Sequence, residues 1–142
     1  MTNLDPLIRL NKFQLEEKQR ALSALYSQVE ELEIEKRAIL DSVESEKQAV
    51  DDNLQHLSLM TSLMTYIQRS KTEVELINDQ VSSIEIKITR AVDEMREAFG
   101  ELKKIEITRD RRLESIAQEN KKREDALFSE IALEIYRRNK DD

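Results

Sequence analysis

VELINDQVSSIEIKITRAVDEMREAFGELKKI, Val74 to Ile105, is the stretch whose reading decides the fold. Val74, Val81, Ile88, Met95 and Leu102 recur every seven residues, and Ile77, Ile84, Ala91, Ala98 and Ile105 follow each of them by three. All ten are apolar, between residues that are mostly charged or polar. A 3–4 alternation of this length places one apolar stripe along a helix and asks for a second helix to cover it. Beyond Ile105 the phase breaks: Arg109 and Arg112 take the next stripe positions, and apolar residues resume at Leu113 and Ile116. Such a four-residue shift is a stutter, which locally unwinds a supercoil.

The covering helix lies upstream. Ile8, Leu15, Leu22, Val29, Lys36, Val43, Val50 and Leu57 mark one seven-residue position, apolar except at Lys36. Leu25, Leu32 and Ile39 occupy the second position mid-helix, which is polar at Asn11, Lys18, Glu46 and Asn53. Asp5-Pro6 is a helix start, with Asp as N-cap and Pro in the first turn. Between the repeats, LSLMTSLMTYIQRSKT (57–72) holds Ser and Thr but no Asp or Glu. It reads as the turn, with Ser70/Glu73 or Thr72/Glu75 as a capping box for the second helix. The expected fold is all-α. It is a single long antiparallel two-helix coiled-coil hairpin over 1–142, with helix 1 about 5–57, the tip about 58–71 and a longer C-terminal helix 2 about 72–138.

This layout predicts a register. Leu22 meets Ile105, Leu25 meets Leu102, Val29 meets Ala98, Leu32 meets Met95, Ile39 meets Ile88, Val43 meets Ile84 and Val50 meets Ile77. Sliding the helices one heptad apart would set Leu22 and Leu25 against Arg112 and Arg109, burying unpaired charge. A slide the other way mainly shortens the pairing near the tip. In the preferred register Lys18 faces Arg109, and Asp5 lies opposite Lys122. Everything beyond Lys122 then lacks a partner helix, including Leu127, Phe128, Ile131, Ala132, Ile135 and Tyr136. An amphipathic helix with nothing of its own to pack on is a partner-binding element. At the tip, Leu59, Met60, Leu63, Met64, Tyr66 and Ile67 either plug the hairpin end or form a Met-rich docking surface.

Composition narrows the function classes. Of 142 residues 37% are charged, with one Gly, one Pro, one His and no Cys. That bias belongs to long helices with a narrow seam rather than a broad core. With His56 alone and no thiol, His pairs and thiolate sites are ruled out, so no metal, cofactor or catalytic group is expected. The formal charge of −7 argues against nucleic acid as a partner. It is uneven: residues 109–142 hold nine basic and nine acidic residues, the basic ones clustering at Arg109, Arg111, Arg112 and at Lys121, Lys122, Arg123. No apolar run approaches a membrane span, so no direct membrane insertion is expected and the default location is cytoplasmic. Gly100 stands inside the second helix as a weak point.

LDPLIRLNKFQLEEKQRALSAL (4–25) and KKREDALFSEIALEIYRR (121–138) are the two end segments that carry a resemblance. The first resembles the opening of the flagellar export stalk/chaperone family (FliJ-like, with counterparts among type III secretion ATPase stalk proteins). These begin with an apolar segment, a KF or RF pair and a Glu- and Arg-rich helix. The second is similar to the family's C-terminal helix, with its Glu-Ile-Ala segment and late Tyr-Arg. The resemblance implies a non-enzymatic central stalk that enters a hexameric export ATPase ring. It further implies contacts with an export-gate membrane protein and with export chaperones, and peripheral association with the inner membrane through the export apparatus. On it, Leu127, Phe128, Ile131, Ile135, Tyr136 and Arg137 would contact the ATPase, with Leu4, Leu7 and Ile8 alongside. Tyr66 and Ile67, with Leu63 and Met64, would meet the gate or a chaperone, although Ser70 and Lys71 stand where the family continues with Leu. A self-associating scaffold and a holdase-type chaperone are the competing readings.

Overall fold

The computed structural model describes residues 3–52 and 57–141. Two helices account for nearly all of them: α1 (Asp5–Asp51) of 47 residues and α2 (Leu57–Asp141) of 85 residues. No strand occurs among the described residues, and the two helices pack against each other in the manner of a hairpin. At the start of α1 the Ile8 N–H donates to the Leu4 carbonyl (2.9 Å), and the Asp5 N–H donates to Asn3 Oδ1 (3.1 Å). The side-chain cap is therefore Asn3 rather than Asp5. Asp5 instead contributes its charge to the first turn, where the helix dipole favours an anion.

By its contacts the chain divides into two compact units, Gln14–Ala98 and Met1–Phe13 with Phe99–Asp142. In the first unit the heptad positions form the seam. Val50, Ile77 and Val81 are buried, and Leu15, Leu22, Leu25, Val29, Leu32, Ile39 and Val43 are half-buried on α1. Val74, Ile84, Ile88, Ala91, Met95 and Ala98 are half-buried on α2. Lys36, the charged member of the repeat, keeps its aliphatic stem in the seam. Its Nζ reaches Asn78 Oδ1 across the pair (3.2 Å) and Glu33 Oε2 along α1 (3.1 Å). Lys18 Nζ meets Glu94 Oε2 at 3.0 Å, and the Ser42 and Tyr66 hydroxyls lie 2.6 Å apart.

These contacts correct the expected register. Lys36 sits by Asn78 instead of Ala91, Lys18 by Glu94 instead of Arg109, and Val43 shares a groove with Ile67, Ser70 and Val74 instead of meeting Ile84. The displacement is about two heptads. Its cause is the stretch 58–71, expected as the tip, which is part of α2. Thr61, Thr65 and Thr72 each donate their hydroxyl to the carbonyl four residues back, at 3.1–3.2 Å, so the hydroxyls are satisfied inside the helix. Thr72 and Ser70 therefore form no capping box, and Ser70 is a seam residue only 5% exposed. Leu57, expected as the last seam residue of helix 1, is the first residue of α2 and 87% exposed. His56 and Asn53 lie outside the described residues.

In the second unit Ile8 (3% exposed) and Leu102 are buried, with Ile105 half-buried. Asp5 Oδ1 lies 3.9 Å from Arg109 Nη1, so Asp5 stands beside Arg109 and not Lys122. Arg109 also reaches Asp110 (3.3 Å), so this seam position meets carboxylates rather than Lys18. Every described side chain from Ala117 to Lys140 is exposed. That is roughly 24 residues of helix, or about 36 Å at 1.5 Å per residue. Gly100 has no atom within 4 Å of where a Cβ would stand. Gly100→Ala should therefore recover about 1 kcal/mol of helix propensity, read as a higher urea midpoint at unchanged slope. A destabilised variant would mean that Gly100 serves a packing role that the fold does not reveal.

Candidate functional site

Once the seam is filled, exposed apolar side chains remain along both helices; some, such as Tyr26, Ile34, Ile86 and Phe99, are scattered, and those concentrated in three groups form the candidate site. The largest lies on the C-terminal end of α2. Leu127, Ile131 and Ile135 follow one another at four-residue steps along one face, with Phe128 (76% exposed) beside them. Each residue advances by 100°, so Tyr136 stands about 80° round from Phe128 and widens that face, whereas Leu133, also exposed, falls on the opposite side of the same turns. This segment thus carries an apolar face about half its circumference wide, with Leu133 outside it, where a solvent-facing helix would carry a narrow stripe or none. Arg138 is held by Glu134 at 3.1 Å, one turn back, and Arg137 is exposed. Lys121, Lys122 and Arg123 precede the apolar turns and are exposed.

The second group belongs to α1. Leu7 is exposed, as are Leu10 and Phe13, whereas Ile8 is a seam residue and is not part of the surface. Leu4 is half-buried and lines a groove of about 590 Å³ with Asp5, Arg109, Arg112, Leu113 and Ile116. Leu10 and Phe13 escaped the sequence reading. Their signal was available, because both are large apolar residues lying off the phase set by Ile8 and Leu15.

The third group is the start of α2. Of Leu63, Met64, Tyr66 and Ile67, only Met64 is well exposed. Leu63 and Ile67 are half-buried in the inter-helix packing, and the Tyr66 hydroxyl is tied to Ser42. The tip residues that do face solvent are Leu57, Leu59, Met60 and Met64. Among the described residues no cluster of His, Cys, Asp or Glu could hold a metal ion, and no helix is long and apolar enough to cross a membrane.

No family model matches the chain, and no curated protein or solved structure matches it. The class defined by fold and surface is a two-helix protein with apolar residues left over outside its own packing.

Proposed function

We propose that this chain is an antiparallel two-helix coiled coil whose longer C-terminal helix acts as a stalk in a flagellar-type (type III) protein export apparatus. The stalk end enters a hexameric export ATPase ring, and the start of α2 meets the export gate or export chaperones. The reading rests on the end-segment resemblance. The observation that carries it is the unpaired segment from Ala117 to Lys140, which is exposed throughout and apolar over about half its circumference, with Leu133 on the far side. A flat partner would leave the edges of so broad a face, and Leu133, uncovered. A partner that wraps the helix covers them, and a ring with a central channel has that form. Leu127, Phe128, Ile131, Ile135, Tyr136 and Arg137 are the contact residues of this reading, with Leu4 and Leu7 near its base.

At the other end, Leu57, Leu59, Met60 and Met64 form a surface rich in flexible side chains, suited to chaperones or the gate. The protein works in the cytoplasm, held at the inner membrane by its partners and not by a span of its own.

The test is ATP hydrolysis and hexamer assembly by a purified export ATPase, alone, with the full chain, and with a chain ending at Lys122. Stimulation by the full chain, absent with the shortened one while circular dichroism reports a folded helical remainder, is the expected result. If neither chain alters hydrolysis or assembly, the stalk reading fails. Concentration-dependent self-assembly through 123–142 would then favour a scaffold.

A further inference from the structure

The seam that joins α1 to α2 repeats every seven residues on both helices, so a slide of one heptad sets seam residues against seam residues again. Val43 and Ser70 line one groove, and Lys36 bonds Asn78. Stepping back by sevens, Val29 faces Ile84 and Leu32 faces Val81. One heptad further along α2 they would face Ala91 and Ile88, both already seam positions and both half-buried. Val43 would exchange the small polar Ser70 for Ile77.

Two polar contacts across the pair, at Lys36 and Ser42, find new partners in the same slide. Seven residues beyond Asn78 stands Glu85, an opposite charge for Lys36, and seven beyond Tyr66 stands Glu73, an acceptor for the Ser42 hydroxyl. The sequence holds the turn only loosely, since Asp51, Asp52 and Asn53 favour a turn without demanding it at one residue. From Asp51 to Met60 there is neither Gly nor Pro, the residues that fix a turn by their dihedral demands. Leu57, Leu59, Met60 and Met64 are exposed, so the first two turns of α2 are lightly held.

One end opposes the slide. Asp5 would leave Arg109, and Ile8 would move from beside Ile105 toward Arg112, placing a buried apolar residue next to a charge. That end keeps the observed register in excess.

We propose that the helix pair exchanges between two registers one heptad apart. In the minor one, α1 reaches about 10 Å farther along α2. The first turn of α2 passes into the connection, and α1 covers Leu113 and Ile116. The number of unpaired residues at the C-terminal end of α2 thus depends on where the chain turns back, which gives the hairpin a means of carrying a signal along its length. The inference does not depend on which protein the exposed end binds.

The chain has no Cys, so engineered pairs report register directly. Three full-length double variants are oxidised with glutathione at low concentration: Val29→Cys with Ile84→Cys, Val29→Cys with Ala91→Cys, and Val29→Cys with Ile77→Cys. The third probes a slide of equal size in the opposite direction. The 29/84 pair should close fastest. The 29/91 pair should close about 10- to 1,000-fold more slowly, the inverse of a minor population of roughly 0.1–10%. It should still clearly outpace the 29/77 pair. Equal rates for 29/91 and 29/77, with each reduced variant helical by circular dichroism, would mean random fraying and overturn the proposal. The 29/91 disulfide, once isolated, should slow tryptic cleavage after Arg111 and Arg112 relative to the 29/84 form. Unchanged cleavage would equally overturn it.

Discussion

Replacing Ile77 by Asp should cost the protein about 4 kcal/mol, enough to leave much of it unfolded at 37 °C, whereas Ile86→Asp should change stability by no more than about 0.5 kcal/mol. The two isoleucines lie on the same helix and differ in burial alone, at 4% and 66% exposed. Ile77 is among the best-buried residues of the seam, where a carboxylate would lose most of its water, and the cation across from it, Lys36, is already engaged by Glu33 and Asn78. A two-helix protein has few other buried residues to compensate, and typical domains hold only about 5–15 kcal/mol in reserve. Urea titration followed by far-ultraviolet circular dichroism reads both variants. Equal midpoints for the two would show that the assigned seam face is wrong.

The opposite pattern is expected at the C-terminal end. Phe128→Asp combined with Ile131→Asp should leave the urea midpoint within about 0.5 kcal/mol of wild type, because both side chains are already exposed. If the stalk reading holds, affinity for an export ATPase should fall at least about 100-fold. Two apolar anchors at the centre of an interface carry about 2 kcal/mol or more each, and a carboxylate in their place adds a desolvation cost. Titration calorimetry or fluorescence anisotropy measures the change. Unaltered affinity would remove this segment from the interface even if the stalk reading survived. The paired result, stability without binding here and binding lost through unfolding at Ile77, separates the seam from the surface.

Much of the fold was legible because the seam between two long packed helices is written as a period. The ten positions from Val74 to Ile105 are all buried or half-buried, and so are Ile8, Leu15, Leu22 and the residues that continue their repeat to Val50. The register was not legible, because periodicity fixes which face is buried but is nearly blind to shifts by whole heptads. The choice then rested on where the chain turns, and Ser and Thr misled it. In a helix these residues satisfy their hydroxyls on the preceding turn, as Thr61, Thr65 and Thr72 do, so their abundance did not mark a break. A better signal was present: stepping back by seven from Val74 and Ile77 reaches Ile67 and Ser70, and then Met60 and Leu63. The serine at 70 interrupted an apolar stripe that in fact continues through it.

The candidate site divides the same way. The apolar turns from Leu127 to Tyr136 were visible as apolar residues beyond the reach of helix 1, and the corrected register lengthens the unpaired segment. At the other end the error in turn position carried Leu63, Tyr66 and Ile67 to the surface, where the structure places them against α1. Their neighbours Leu57, Leu59 and Met60 are the residues that face solvent there.

No described side chain of this protein is less than 2% exposed, so every layer of the seam lies within reach of water. In a globular domain the slowest amide hydrogens exchange together, when the whole core opens at once. Here each layer is held only by its neighbours along two helices, which makes opening a matter of unzipping from an end. Amide exchange should accordingly form a gradient, fastest at Lys140 and along the unpaired turns, and slowest around Ile77 and Val81.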